Sequence, residues 1–128
     1  MATLELYMAI CVRREQAPCH WIILAVPPGS ARCTYYHVNG GPSQGTDYAL
    51  QIEAGKRTNS TGIATTELIG IINASDVNRL KASAQRPAPE FCQSWAVKVV
   101  EDIERKGLVA PGTAESWRAR VETDPYAG

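Results

Sequence analysis

The sequence predicts an α+β protein in which an antiparallel sheet from the N-terminal half packs against C-terminal helices. Two observations carry this. Apolar runs of strand length, rich in β-branched and aromatic residues and broken by Pro/Gly turns, fill the chain up to Ile72. From Ser75 onward, apolar residues recur at the three-to-four spacing of a helix with one buried face. Strands followed by helices, rather than alternating with them, give segregated layers. The 128 residues suit a single domain over 1–128, long enough to bury a core without a metal or disulfide staple.

Each element has its own signal. Leu4 to Val12 is mostly apolar and ends at Arg13-Arg14. His20 to Val26 (HWIILAV) is unbroken after its histidine, as expected for a strand covered on both faces. Pro27-Pro28-Gly29-Ser30 is a turn, and Arg32 to Val38 (RCTYYHV) is the next strand. Tyr48 to Ala54 and Ile63 to Ile72 are weaker strands about the polar stretch from Lys56 to Gly62. A short helix runs from a Ser75 or Asp76 cap to Ala84. The best helix is Glu90 to Lys106: Phe91, Trp95, Val99 and Ile103 form a stripe that Cys92, Ala96 and Val100 widen. Pro89 suits its first turn and Gly107 its C-terminal cap. Thr113 to Thr123 predicts a last helix with Thr113 as N-cap.

Composition narrows function. Thirteen basic residues balance thirteen acidic ones, which argues against nucleic acid and against a polybasic membrane anchor. No apolar run reaches the ~18 residues of a membrane span. The start lacks a basic leader, and four irregularly spaced cysteines without a CxxC pair suit thiols, so a cytoplasmic location is expected. No cofactor is expected, and although His20, His37 and Cys92 are ligand types of an open three-ligand zinc site, no metal spacing supports one, so no metal is expected. Ala54-Gly55-Lys56 lacks the upstream glycine of a phosphate loop. Exposed strand edges open a route to a homodimer.

One constellation carries chemistry. If the hairpin loop is Pro27 to Ser30, opposed residues have numbers summing to 57, and His20 faces His37. A one-residue slip would separate the two rings. Cys92 falls in the first turn of the best helix, where unpaired N–H groups and the helix dipole favour thiolate. An imidazole nearby lowers a thiol pKa further and serves as base and acid. Cys92 is thus a candidate nucleophile, one of the two imidazoles its base, and the other the partner that orients it through a ring-nitrogen hydrogen bond. Tyr35 shares the histidine face, Gln93 is a candidate oxyanion donor, and Trp21 is a candidate pocket wall against its ordinary role in a core. Asp47, Glu53, Asp102 and Glu104 read as surface charge.

His-Trp opening a strand, a second His closing the next, and Cys92-Gln93-Ser94-Trp95 opening a helix resemble the circularly permuted papain-like superfamily, with its NlpC-type and lecithin retinol acyltransferase-like groups. They also resemble small uncharacterised fungal proteins with His-Trp and Asn-Cys-Gln-x-Trp signatures. The resemblance spans about residues 19 to 106 and rests on these three motifs. It implies a thiol-dependent hydrolase or acyltransferase acting on an amide, ester or thioester of a small-molecule or acyl substrate, with Cys92 as nucleophile, His20 as base and His37 as the orienting residue. Phe91 stands where those groups often place Asn or another polar residue. That departure motivates the alternative, a catalytically degenerate or non-hydrolytic binding or tailoring protein of fungal secondary metabolism.

Overall fold

The structure, a computed structural model, describes residues 2–124. Five strands, β1 (Thr3–Cys11), β2 (Trp21–Val26), β3 (Arg32–Gly41), β4 (Thr46–Arg57) and β5 (Ile63–Asn73), precede three α-helices, α1 (Val77–Gln85), α2 (Cys92–Arg105) and α3 (Thr113–Arg118). The sheet order is β4-β3-β2-β1-β5, with every pairing antiparallel. The α+β class and the helices following the sheet agree with the sequence reading. Among the described residues no helix is long and apolar enough to cross a membrane.

Period-2 alternation divides β2 between two cores. Trp21, Ile23 and Ala25 join Leu6, Met8, Tyr36 and Val38 under α2, against Trp95, Val99, Val100 and Ile103. Ile22, Leu24 and Val26 face the other way, with Ala9, Cys33 and Tyr35. That second cluster includes no helical residue, yet its members are almost fully buried. The connection 58–62 and the curl of the sheet account for this. β4 and β5 lie on opposite edges, four strand spacings apart, or ~19 Å if flat. A turn-containing connection of that length cannot reach so far, so the sheet must close toward it. Thr58 N–H donates to Ala31 O at 3.0 Å, Val12 N–H to Gly62 O at 2.9 Å, and the Tyr35 hydroxyl to Arg57 O at 2.6 Å.

The β2–β3 register differs from the expected one by two positions. Ile23 pairs with Tyr36 and Leu24 with Tyr35, so paired numbers sum to 59. An even slip preserves side-chain parity, so His20 and His37 keep a common face and meet diagonally.

Helix ends also differ. Pro89 precedes α2, because Phe91 is still extended (φ −42°, ψ 126°) and acts as N-cap. At the other end Gly107 N–H donates to Glu104 O and Leu108 N–H to Ile103 O, both at 2.9 Å, with Gly107 at φ 77°. This is the left-handed C-terminal closure expected of a glycine there. α3 begins after Gly112 rather than capping on Thr113, and ends at Arg118 instead of continuing to Thr123.

Candidate active site

His20 immediately precedes β2, and His37 lies on β3 on the face away from the helices. His20 Nε2 is 2.8 Å from His37 Nδ1, and His37 Nε2 is 2.6 Å from Glu53 Oε1 on β4. A carboxylate only accepts, so the His37 Nε2 proton faces Glu53. Neutral His37 then accepts at Nδ1 from His20 Nε2–H. The lone pair of the pair's outer ring is thereby left on His20 Nδ1. Burial above all, with the neighbouring His37 and the Arg14 guanidinium adding to it, lowers the His20 pKa from 6.5 to about 4. The hydrogen bond to His37 in turn holds the Glu53 carboxyl below its usual range.

Glu53 is therefore a site residue and not idle surface charge, even though its side chain is 38% exposed. β3 and β4 pair Tyr35 with Glu53 and His37 with Gln51, which puts Glu53 diagonal to His37 on one face. Period-2 spacing alone could not find it, because the β3–β4 register shifts between Cys33 and Tyr35 and between Asn39 and Gly41. Asp102, also expected on the surface, is 3% exposed. It accepts from Ser83 Oγ at 2.6 Å and pairs with Arg86, Arg105 and Lys106, joining α1 to α2 away from the histidines.

Cys92 opens α2 on the helix side of the sheet, with Sγ 4.0 Å from Cys19 O. Among the described residues neither imidazole is a hydrogen-bond partner of the sulfur. The thiol pKa is raised, contrary to the expected thiolate. Burial is the largest cause, and the backbone N–H groups of Trp21, Gln93 and Cys92 offset only part of it. The helix start does provide donors, but desolvation outweighs them.

Gln93 is fully buried and its amide is already engaged. Nε2 donates to Cys19 O at 2.8 Å and to Glu122 Oε2 at 3.2 Å, while Oε1 accepts from Glu122 N at 2.7 Å. It is neither a solvent-facing residue nor a free oxyanion donor: it ties three chain segments behind the cysteine. Tyr35 does share the histidine face, its ring centroid 6.1 Å from that of His37. Trp21 packs edge-on against Trp117 at 5.4 Å in the helix-side core and lines neither groove at the site.

Two grooves meet at His20. One, of about 350 Å³, lies between the start of α2 and the end of β3, and Cys92, Phe91, Tyr48 and Asn39 help to line it. The other, of about 410 Å³, runs over the second core beside Tyr35, Cys11 and Arg14. His20, Ala17, Pro18, Asn39 and Gln44 belong to both. The wall at Gly40 requires glycine. Its φ is 88°, and a Cβ there would lie 2.2 Å from Asp47 O. The chemistry available is a thiol and a neutral, relay-held imidazole opening on one cleft. Among the described residues no group of three His, Cys, Asp or Glu side chains is placed to hold a metal ion.

Neither a curated protein nor a solved structure matches the chain. A family profile does: residues 6–110, which contain all of the sheet but the first residues of β1, both histidines, Glu53 and Cys92, match a family of unknown function, DUF6540, and the chain belongs to that family.

Proposed function

We propose that the protein is a thiol-dependent hydrolase or acyltransferase acting on an amide, ester or thioester, built on a permuted papain-like arrangement. The observation that carries this reading is that His20, held from behind by the His37–Glu53 relay, lines the same cleft as Cys92. The relay fixes the ring tautomer and leaves His20 Nδ1 able to take a proton. A raised thiol pKa means that proton transfer accompanies attack and does not precede it. The sulfhydryl proton passes to His20 Nδ1 as the S–C bond forms and the carbonyl π electrons move onto oxygen. Backbone N–H groups at the start of α2 receive that charge. Collapse breaks the bond to the leaving group, which takes the proton from His20. Water, or an alcohol or amine acceptor, then releases the acyl group by the same route.

Incubation with 4-nitrophenyl butyrate tests this. The expected result is nitrophenolate release with a butyryl adduct on the Cys92 peptide, seen by mass spectrometry. Cys92→Ala should abolish both, and His20→Gln should slow acylation by ~100-fold or more. Equal release by Cys92→Ala refutes nucleophilic catalysis.

The buried thiol, with no imidazole bonded to it, favours a second reading in which the same cleft binds a small molecule without reacting. Ligand binding that is unchanged in Cys92→Ala, without any adduct in the wild type, is its signature.

A further inference from the structure

We propose that the groove on the Arg14 side of His20 is a carboxylate subsite, which receives a leaving group bearing one negative charge while the acyl group occupies the Cys92 side. The assignment of leaving and acyl groups rests on the thiol reading above, whereas carboxylate binding by Arg14 does not.

The two grooves differ in charge. Among the described residues no Asp, Glu, Lys or Arg lines the groove at Cys92, where Phe91, Tyr48 and Val38 form apolar walls and Gln16, Asn39 and Gln44 offer amide groups. Such a lining suits a neutral acyl group and penalises a charged one. Across His20, Arg14 is, among the described residues, the one permanently charged residue of the second lining. Among the described residues Arg14 has no ion pair or side-chain hydrogen bond, although the adjacent Arg13 pairs with Glu122. The Arg14 charge is felt inside the cleft, where it adds to the lowering of His20 and offsets a small part of the rise of Cys11. Burial pushes Cys11 up to about 11, so no thiolate competes for the guanidinium.

The backbone there is also specialised. Ala17 N–H donates to Arg14 O at 3.1 Å, closing a turn that holds Glu15 at φ 54°. Left-handed conformation at a non-glycine residue costs free energy and persists where the surroundings enforce it. The turn sets Arg14 and Ala17 on the same groove. A lone guanidinium matches one carboxylate by a two-pronged contact, while a dianionic phosphate calls for more than one cation. Hence the class is an acyl compound with a neutral acyl part and a carboxylate on its alcohol, thiol or amine part.

The direct test titrates 3-hydroxybenzoate and its neutral isostere 3-hydroxybenzamide into the full chain, following the His20 ring signals by NMR. The acid should bind at least ~tenfold more tightly, the size of a charge-assisted contact. Arg14→Gln should equalise the two and leave the amide unchanged. Equal affinities in the wild type overturn the subsite, as does an acid preference surviving in Arg14→Gln. Tighter binding of phenyl phosphate than of the acid overturns the single-charge assignment. The butyrate esters of the same two phenols separate the subsite from the thiol reading. Cys92 acylation with no preference for the acid ester removes the subsite and leaves the thiol reading standing. Arg14-dependent acid binding without acylation by either ester does the reverse.

Discussion

At neutral pH the His20 ring carries no charge, and folding depends on keeping it so. Its pKa falls from 6.5 to about 4 because it is buried beside His37 and in the field of Arg14. Between those two values the unfolded chain binds a proton that the folded chain refuses. Stability is therefore undiminished above about pH 6.5, declines as pH falls toward 4, and loses about 3 kcal/mol over that window. Urea unfolding at pH 7.5, 5.5 and 4.5 should show the decline, and His20→Gln should flatten it above pH 4.5. Below that the lowered carboxyls of Glu53, Asp102 and Glu122 add losses of the same sign. The pairing of the two histidines was legible in the sequence because it depends on parity alone, and the two-residue error in register preserved parity. Glu53 was not legible, because its partner lies on a strand whose register is set by irregularities at Cys33/Tyr35 and Asn39/Gly41. The state of Cys92 was misjudged for another reason. Sequence places a thiol at a helix start, but only packing shows how far water is excluded from it.

Helix α2 joins the site to the rest of the fold. Its apolar stripe was legible over its whole length, since Trp95, Ala96, Val99, Val100 and Ile103 are all fully buried. Its start was placed too early. Pro87 and Pro89 disfavour helical conformation in the residues before them, and Phe91 remains extended as it turns into the groove wall. Gln93 then acts as a tether, holding Cys19 of the β1–β2 connection and Glu122 of the C-terminal segment against the helix start. The same tie explains why α3 stops at Arg118. Glu122 N–H donates to Gln93 and its carboxylate receives Cys19 N–H and Arg13, contacts that a continuing helix would use otherwise or misplace. Gln93→Ala leaves Cys19 O and Glu122 N–H buried without that partner. Expected destabilisation is about 1–3 kcal/mol, measured by urea unfolding at pH 7.5. Acylation by 4-nitrophenyl butyrate should slow with it, because Cys19 and His20 are adjacent and share the loosened segment.

Across the whole molecule, the site sits on the seam between two cores. Trp21, the first residue of β2, points into the helix-side core, and the imidazole of His20 just before it points toward the opposite face. The strand can hold that seam only if both cores are sealed. The connection 58–62 closes one, and α3 closes the other. Ala114 and Trp117 are buried there, although they lie beyond residues 6–110 that match the family. Trp117 meets Trp21 edge-on, and the Arg120 guanidinium lies over its ring 4.3 Å from the centroid. Arg120 also pairs with Glu67 on β5, so one ring links α3, β2 and the sheet edge. Trp117→Ala opens a large cavity against Trp21 and strands the Arg120 contact, with an expected loss of about 3–5 kcal/mol in urea unfolding. If α3 is structurally integral, the variant unfolds in a single transition at lower urea, with tryptophan fluorescence and far-ultraviolet circular dichroism coinciding. A loss below about 1 kcal/mol, or a separate early transition in fluorescence alone, would show that α3 is an appendage and that the seam at His20 is held without it.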